Sequence, residues 1–198
     1  MTPEQQTSLI DLAKTVLTSL VILLAAYLGY RFTIKQNKRQ RQLEFIERKI
    51  TTFYSPMIGY RNQIKAKSEL RLDLSNAAGI AWGKICDEQP RPFLDHEKYF
   101  EPFKKLIEYN NKQFAEELLP MYDKMLLVFM ENYWLANTST QGWYGEFCRF
   151  VDLWHRFLND SVPGRALNEL KHGEELLLPF YDDLEKQLEE LKQKIADG

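Results

Sequence analysis

The sequence predicts an all-α protein: a single N-terminal transmembrane helix continues into a cytoplasmic helical bundle with coiled-coil-like long helices. Residues 15–30 carry no charge, basic residues follow that run, and no later segment has convincing strand character. We therefore divide the 198 residues into four parts. These are a short extracytoplasmic tail (1–8), a transmembrane helix (9–30), a basic juxtamembrane segment (31–42) and a cytoplasmic helical domain (43–198).

The apolar run TVLTSLVILLAAYLGY, residues 15–30, defines the predicted span. With the residues before it, the stretch 9–30 reaches the roughly 20 mostly apolar residues that a helix needs to cross about 30 Å of hydrocarbon. A cleaved signal peptide would start with basic residues, but Glu4 and Asp11 make this N-terminus acidic. A buried helix of a soluble domain would show a polar face, which this run lacks. We expect a retained membrane anchor.

Charges beside the span predict its orientation. Residues 31–42 contain five basic side chains and no acidic one: Arg31, Lys35, Lys38, Arg39 and Arg41. Only Lys14 precedes the run, and basic flanks stay in the cytoplasm. We expect the N-terminus outside, the domain inside, and the protein in the inner (plasma) membrane. The five basic residues are predicted to contact lipid headgroups. No nucleic-acid partner is expected, because the cluster adjoins a membrane and lacks interleaved aromatic residues.

The remaining 156 residues suit one domain with a core of its own. Residues 43–198 hold 20 basic and 26 acidic residues, a net charge of −6, so this domain should stand away from an anionic membrane surface. Cys86 and Cys148 are too few for a disulfide framework and have no CxxC spacing. This cysteine usage fits a reducing compartment.

Two apolar seams repeat at alternating spacings of three and four. The first contains Leu43, Ile46, Ile50, Phe53, Met57, Tyr60 and Ile64; the second contains Leu177, Tyr181, Leu184, Leu188, Leu191 and Ile195. The helix of the first seam should kink or break at Ser55, because Pro56 follows. The seams match in length, so they can pair antiparallel within one chain or each with its copy in a parallel dimer. We favour the intramolecular pair, because Phe53 and Tyr60 suit a parallel two-stranded coil poorly.

The other elements follow from helical periodicity and breakers. Helices are predicted over residues 67–87, from Asp95 to Asn110–Asn111, over 113–135 with a kink or start at Pro120, and over 143–158. Residues 89–92, 137–142 and 159–164 should be breaks or loops. A short helix to residue 171 and a long helix to residue 196 complete the chain.

Catalytic motifs are missing from the sequence. It has no GxxxxGK[ST], GxGxxG, GxSxG, HExxH or paired CxxC, so we expect no enzyme, no cofactor and no metal. His96, His155 and His172 are interpreted as surface or capping residues, although His172 precedes two glutamates. The aromatic stretch from Trp143 to Phe157 is interpreted as core, part of which could form a groove for a ligand or partner.

Two functions from different classes follow. The first is an interaction or scaffold module anchored at the cytoplasmic face of the membrane, with membrane lipid and either a protein partner or a second copy as its partners. The alternative is a membrane-tethered enzyme or small-ligand sensor that uses an aromatic pocket in the bundle, with Trp154, His155 and nearby acids as candidates. A pore is disfavoured, because the span lacks a polar lining. Convergent polar groups in a pocket would favour the alternative.

Overall fold

The computed structural model describes the backbone of residues 3–88, 96–170 and 172–197, and the side chains at these positions except 3–16, 18, 19, 21, 22, 96 and 168. All secondary structure in this part of the chain is helical, which confirms the predicted all-α class. The chain divides into two units, one containing the residues up to Glu47 and the other comprising residues 48–196. The predicted break at 89–92 and the proposed helix start at Asp95 lie outside the described residues.

The elements follow one another along the chain with few interruptions. Helix α1 spans Pro3–Lys49, a π-helical segment spans Ile50–Tyr54, and α2 spans Ser55–Glu88. Helix α3 spans His96–Gln113, a second π-helical segment spans Phe114–Leu118, and α4 spans Leu119–Glu131. The remaining elements are a 3₁₀ turn at Tyr133–Leu135, α5 at Thr138–Gln141, α6 at Tyr144–Leu158, α7 at Gly164–Glu169, a 3₁₀ turn at Glu174–Leu177 and α8 at Leu178–Ala196.

A membrane-spanning helix is not found among the residues whose side chains are described, where no helix is both long enough and apolar enough to cross a bilayer. The predicted span, residues 9–30, lies largely outside those residues. Its described side chains include Leu17, Leu23 and Leu28, each exposed over more than half of its surface, at 65%, 67% and 58%.

Pro56 and Pro120 each follow a π-helical turn, and the helix continues through both. The prediction of a kink or break at Ser55 is wrong as to a break, because the helix widens over residues 50–54 and continues as α2, and the kink stays a prediction. The backbone N–H of Ser55, the residue before Pro56, donates to the carbonyl of Ile50. In the same way, the backbone N–H of Leu119, the residue before Pro120, donates to the carbonyl of Phe114. A wider turn gives the proline ring room against the carbonyl four residues earlier. Helix α4 begins at Leu119, one residue before Pro120, but it continues the second π-helical segment without a break.

The core of the second unit is aromatic and centres on Phe129 of α4. Its ring stacks on that of Phe180 with centroids 5.8 Å apart and meets the ring of Phe53 edge-on at 5.3 Å. All three side chains are fully buried. Aromatic rings of this size dominate core energetics, so α4, α8 and the first π-helical segment form the centre of the bundle.

Helix α8 packs antiparallel against the first π-helical segment and the start of α2, which confirms the predicted intramolecular pair. Arg61 binds Glu185 at 2.6 Å and lies over the ring of Tyr181 at 5.2 Å. At the other end, burial lowers the pKa of Lys49, and the charge of Lys194 lowers it further. Arg61 of α2 thus meets Glu185 in the first half of α8, whereas Lys49, which precedes α2, lies near Lys194 at the end of α8. The two segments therefore run antiparallel.

Three local predictions are wrong. The helix starting at residue 96 does not end at Asn110–Asn111, because α3 runs to Gln113 and continues into the second π-helical segment. The apolar residues in the first half of the predicted helix 67–87 do not form a buried face, since Leu70 is 59% exposed and Leu74 is 45% exposed. Residues 137–142 are not a plain loop but contain α5. Lys49 donates to the Asn137 side chain at 2.6 Å, and that amide donates in turn to Gln187, which fixes the start of α5.

Candidate functional site

An aromatic cavity of about 680 Å³ lies within the second unit. It is bounded by α2, the end of α3, the second π-helical segment, α4, α6 and the 3₁₀ turn that precedes α8. Its volume falls within the range of about 300–1,000 Å³ found for small-molecule sites. The aromatic cavity is therefore a candidate small-molecule site.

The walls of the aromatic cavity are built from rings that hold one another in place. Trp154 meets Phe114 edge-on at 4.7 Å and Phe157 at 5.9 Å, and Tyr122 contacts Phe150 at 5.3 Å. Phe114, the first residue of the second π-helical segment, lines the aromatic cavity. Rings fixed by edge-to-face contacts form a preorganised surface rather than a collapsible one.

Two acidic residues of the 3₁₀ turn line the aromatic cavity. Glu174 is half-buried and Glu175 is exposed, and both line the cavity. A Cβ at Gly173 would collide with the Glu175 carboxylate, so glycine is what allows this carboxylate to fold back over the turn. Within the described residues neither glutamate forms an ion pair. This end of the cavity is consequently acidic.

Two buried tyrosines lie beside Glu174. Burial raises the pKa of Tyr122, and the Tyr181 hydroxyl and Glu174 carboxyl raise it further. Burial and then Glu174 raise the pKa of Tyr181 also. Both phenols therefore stay protonated and present hydroxyl groups. The Tyr181 hydroxyl is buried and makes no hydrogen bond of ordinary geometry among the described residues.

One basic residue, Arg71 of α2, lines the aromatic cavity. Its guanidinium lies 5.4 Å from the centroid of the Phe114 ring, so its charge is already engaged with an aromatic face. Nearby, Lys67 and Glu117 form an ion pair that fastens the second π-helical segment to α2. The Lys67 ammonium lowers the pKa of Glu117. These contacts hold the aromatic and the basic parts of the wall together.

His172 supports the cavity from behind. Its Nε2 lies 3.0 Å from the Phe150 carbonyl, which can only accept, so this nitrogen carries a proton. The imidazole ring lies 4.7 Å from the Phe150 ring and 5.6 Å from Trp154, and burial lowers its pKa. A second cavity of about 320 Å³ opens on the other side of Phe150 and His172. The interpretation of His172 as a surface histidine is wrong.

The two candidates named from the sequence separate in the structure. Trp154 lines the aromatic cavity, whereas His155 lies at the surface with its Nε2 2.7 Å from Asp123, and both side chains of that pair are 44% exposed. The side chain of His96 lies outside those described. Among the described residues, no group of three or more His, Cys, Asp or Glu side chains is placed to hold a metal ion.

The five predicted headgroup residues all lie on α1 with exposed side chains: Arg31, Lys35, Lys38, Arg39 and Arg41. At 3.6 residues per turn they cover about 160° of the helix circumference. Arg31 lies near Tyr27, with a hydrogen bond of 3.4 Å between guanidinium and hydroxyl. The five residues therefore form one basic face, and their contact with lipid stays a prediction.

The chain matches no known protein family, no characterised protein and no solved structure.

Sequence reasoning found part of this site and missed the rest. The aromatic residues of α6 were identified as core with a possible groove, and the His172-Gly173-Glu174-Glu175 run was noticed for its carboxylates. Arg71 gave no signal, since an arginine on a helix with several exposed leucines looks like any solvated side chain. Phe114 belonged to the predicted helix 113–135 and gave no separate signal.

Proposed function

We propose that this protein is a helical interaction module anchored in the inner membrane by residues 9–30, with its N-terminus outside and residues 43–198 in the cytoplasm. The observation that carries the proposal is the uncharged run of residues 15–30 followed by the basic face of α1. The described leucines of the run are exposed, and contiguous exposed apolar side chains are typical of membrane or protein contacts. No catalytic motif supports an enzyme.

Membrane fractionation tests the anchor. Replacing Leu20 and Leu24 by lysine should release the protein from alkali-washed membranes, because each lysine near a span centre costs about 2.5–3.5 kcal/mol. Leu70 and Ile80 of α2 are similarly exposed, at 59% and 64% against 58% and 60% for Leu20 and Leu24. The same double replacement there should leave fractionation unchanged. Retention of the Leu20/Leu24 variant in the washed membranes would contradict the anchor.

A partner surface is proposed on α2 and α3. Exposed apolar side chains concentrate there: Leu70, Leu74, Ile80, Phe100, Ile107 and Tyr109. Trp82, Phe100 and Phe103 line a groove of about 280 Å³ between the two helices. Among the described residues, ion pairs within α3 and one hydrogen bond of 3.2 Å from Asn110 of α3 to Ser75 of α2 do not cover these apolar side chains.

Chemical crosslinking in native membranes tests the partner surface. The double variant Ile80→Lys with Ile107→Lys should lose crosslinked products, since a charged rim disrupts an apolar contact. Leu127→Lys with Met130→Lys on α4, at residues exposed to 47% and 56%, provides the matched control. Unchanged products with the α2–α3 variant would exclude this surface.

A second function, sensing of a small ligand, is favoured by the aromatic cavity. Its ring walls, acidic end and volume are features of a ligand site rather than of a dry core. Leu72→Trp would fill the cavity from its exposed edge, and Leu70→Trp places the same side chain outside it. Any compound that raises the melting temperature by occupying the cavity should act on the Leu70→Trp variant and fail on the Leu72→Trp variant.

A further inference from the structure

The aromatic cavity has a charge asymmetry that selects among ligands. At one end are the carboxyl groups of Glu174 and Glu175, and the single cation of the lining, Arg71, already lies over the Phe114 ring. An incoming anion would meet two like charges and one engaged guanidinium. An incoming cation would meet two carboxyl groups that have no ion-pair partner among the described residues.

The rings add to the same preference. Faces of Trp, Tyr and Phe carry negative quadrupole density, and cages of such rings recognise organic ammonium groups. Trp154, Phe150 and Tyr122 surround the space beside the 3₁₀ turn that bears the two glutamates. The rest of the lining contains the apolar side chains of Leu72, Leu118 and Leu158 and the neutral polar residues Ser68, Ser75 and Asn111.

We propose that the aromatic cavity binds a small organic cation, with its ammonium group facing Glu174 and Glu175 and its apolar body against Phe114, Phe150 and Trp154. This proposal rests on the ligand-sensing function and names its ligand class. A compact inorganic cation would not use the rings, and a neutral apolar molecule would not use the glutamates. An amine attached to an aromatic or alkyl body uses both.

Three compounds with one body and different charge provide the test: 4-phenylbutylamine, 4-phenylbutanol and 4-phenylbutyrate. Binding is measured by isothermal calorimetry on the full chain in nanodiscs of phosphatidylcholine, with empty nanodiscs as the blank. We expect saturable binding of the amine at least tenfold tighter than that of the alcohol or the carboxylate. Tightest binding of the carboxylate, equal binding of amine and alcohol, or no saturable heat above the blank would overturn the proposal.

Two variants test whether Glu174 and Glu175 cause the preference for the amine. Glu174→Gln keeps shape and removes charge, so it should weaken amine binding at least fivefold and leave the alcohol unchanged. Gly173→Ala displaces the Glu175 carboxylate without changing any charge and should weaken the amine as well. Glu116→Gln is the control, because Glu116 is exposed on the same π-helical segment as Phe114 and lies outside the lining.

Folding and anchoring are checked separately from binding. Circular dichroism melting of each variant shows whether the bundle is intact, and membrane fractionation reports on the anchor. If Glu174→Gln is folded and binds the amine as tightly as the unaltered chain, the glutamates do not select the ligand and the cation proposal fails. The anchor proposal would be untouched by that result.

Discussion

The hydroxyl of Tyr54 lies 3.2 Å from the hydroxyl of Thr140, although 86 residues separate them in sequence. The Asn137 amide donates to Tyr54 at 2.9 Å, and Thr140 donates to Asp183 at 2.6 Å. A backbone N–H only donates and a carboxylate accepts, so Tyr54 must donate to Thr140. The four groups form a relay with one direction, in which each buried hydroxyl gives one hydrogen bond and receives one.

Thr140→Val should break this relay and lower the free energy of unfolding by about 1–3 kcal/mol, because Tyr54 loses its acceptor and Asp183 its donor. Thr140→Ser keeps the hydroxyl and should recover most of the loss. Thr138→Val makes the same replacement at an exposed position of α5 and should be nearly neutral. Urea unfolding followed by circular dichroism provides the measurement. Equal stability of the Thr140→Val and Thr138→Val variants would mean that the relay contributes nothing.

A fragment of residues 39–198 should fold without the N-terminal helix. The second unit, residues 48–196, contains the Phe129 core and the antiparallel pair of α8 with the first π-helical segment. We expect a soluble, strongly helical fragment with a single cooperative melting transition. An insoluble product, or one that is helical but melts without cooperativity, would show that the apolar N-terminal helix contributes to this core.

Leu188→Asp in α8 should destabilise the fragment by about 3–5 kcal/mol, because a carboxylate would replace a buried leucine of the antiparallel pair. Leu178→Asp is the matched control, since Leu178 begins the same helix and is 49% exposed. Urea unfolding measures stability, and size-exclusion chromatography with light scattering measures the oligomeric state. A Leu188→Asp variant that stays stable but loses self-association would place this seam in an interface between chains.

His172 should make stability depend on pH in a defined direction. Burial lowers its pKa below the ordinary value of 6.5, so the unfolded chain binds a proton more readily than the folded chain. Its contribution is complete above pH 6.5 and is lost as pH falls toward the folded-state pKa. His172→Gln keeps a side-chain N–H for the Phe150 carbonyl and removes the titration. The variant should show a smaller loss of melting temperature than the unaltered fragment between pH 6.5 and 5. Parallel curves for the two proteins would disprove this account.

The basic face of α1 should control orientation. Replacing Arg31, Lys35, Lys38, Arg39 and Arg41 by glutamine removes the positive flank, so a C-terminal reporter active only in the cytoplasm should lose much of its signal. The control replaces five lysines far from the span by glutamine: Lys104, Lys105, Lys186, Lys192 and Lys194. A full reporter signal from the variant lacking the basic face would show that these charges do not set the topology.

Periodicity was sufficient to predict the helical class and α6. It left two pairings open for the first seam, and the bulk of Phe53 and Tyr60 favoured the pairing with α8. Apolar side chains such as Leu184 and Met57 recur at helical spacing in the sequence, so this pattern can be recognised without a structure. The relay of Tyr54 and Thr140 could not be predicted in this way. Asn137, Thr138 and Thr140 favour turns by local hydrogen bonding, and only a distant tyrosine and aspartate convert that turn into a buried contact.

The aromatic residues of the cavity could be identified from the sequence, but their arrangement around a cavity could not. Trp154 and Phe150 were evident as an aromatic stripe. Arg71, in contrast, lies on α2, 83 residues before Trp154, and Glu174 lies in a 3₁₀ turn, 20 residues after it. A stripe of rings looks the same in a closed core and in an open cavity. The difference depends on how far α2 and the 3₁₀ turn stand from α6, and spacing along one helix carries no information about that distance.

The π-helical turn at Phe114–Leu118 also constrains how the length of this chain can vary. A π-helical turn holds one residue more than an α-helical turn, so deleting a single residue there would restore an ordinary α-helix and leave α3 and α4 in nearly the same rotational register. Asn110 would then still face Ser75, and Phe103 would still face Trp82. A second deletion would rotate α3 by about 100° relative to α4 and separate both pairs. Loss of one codon at this place should therefore be tolerated, whereas loss of two should not.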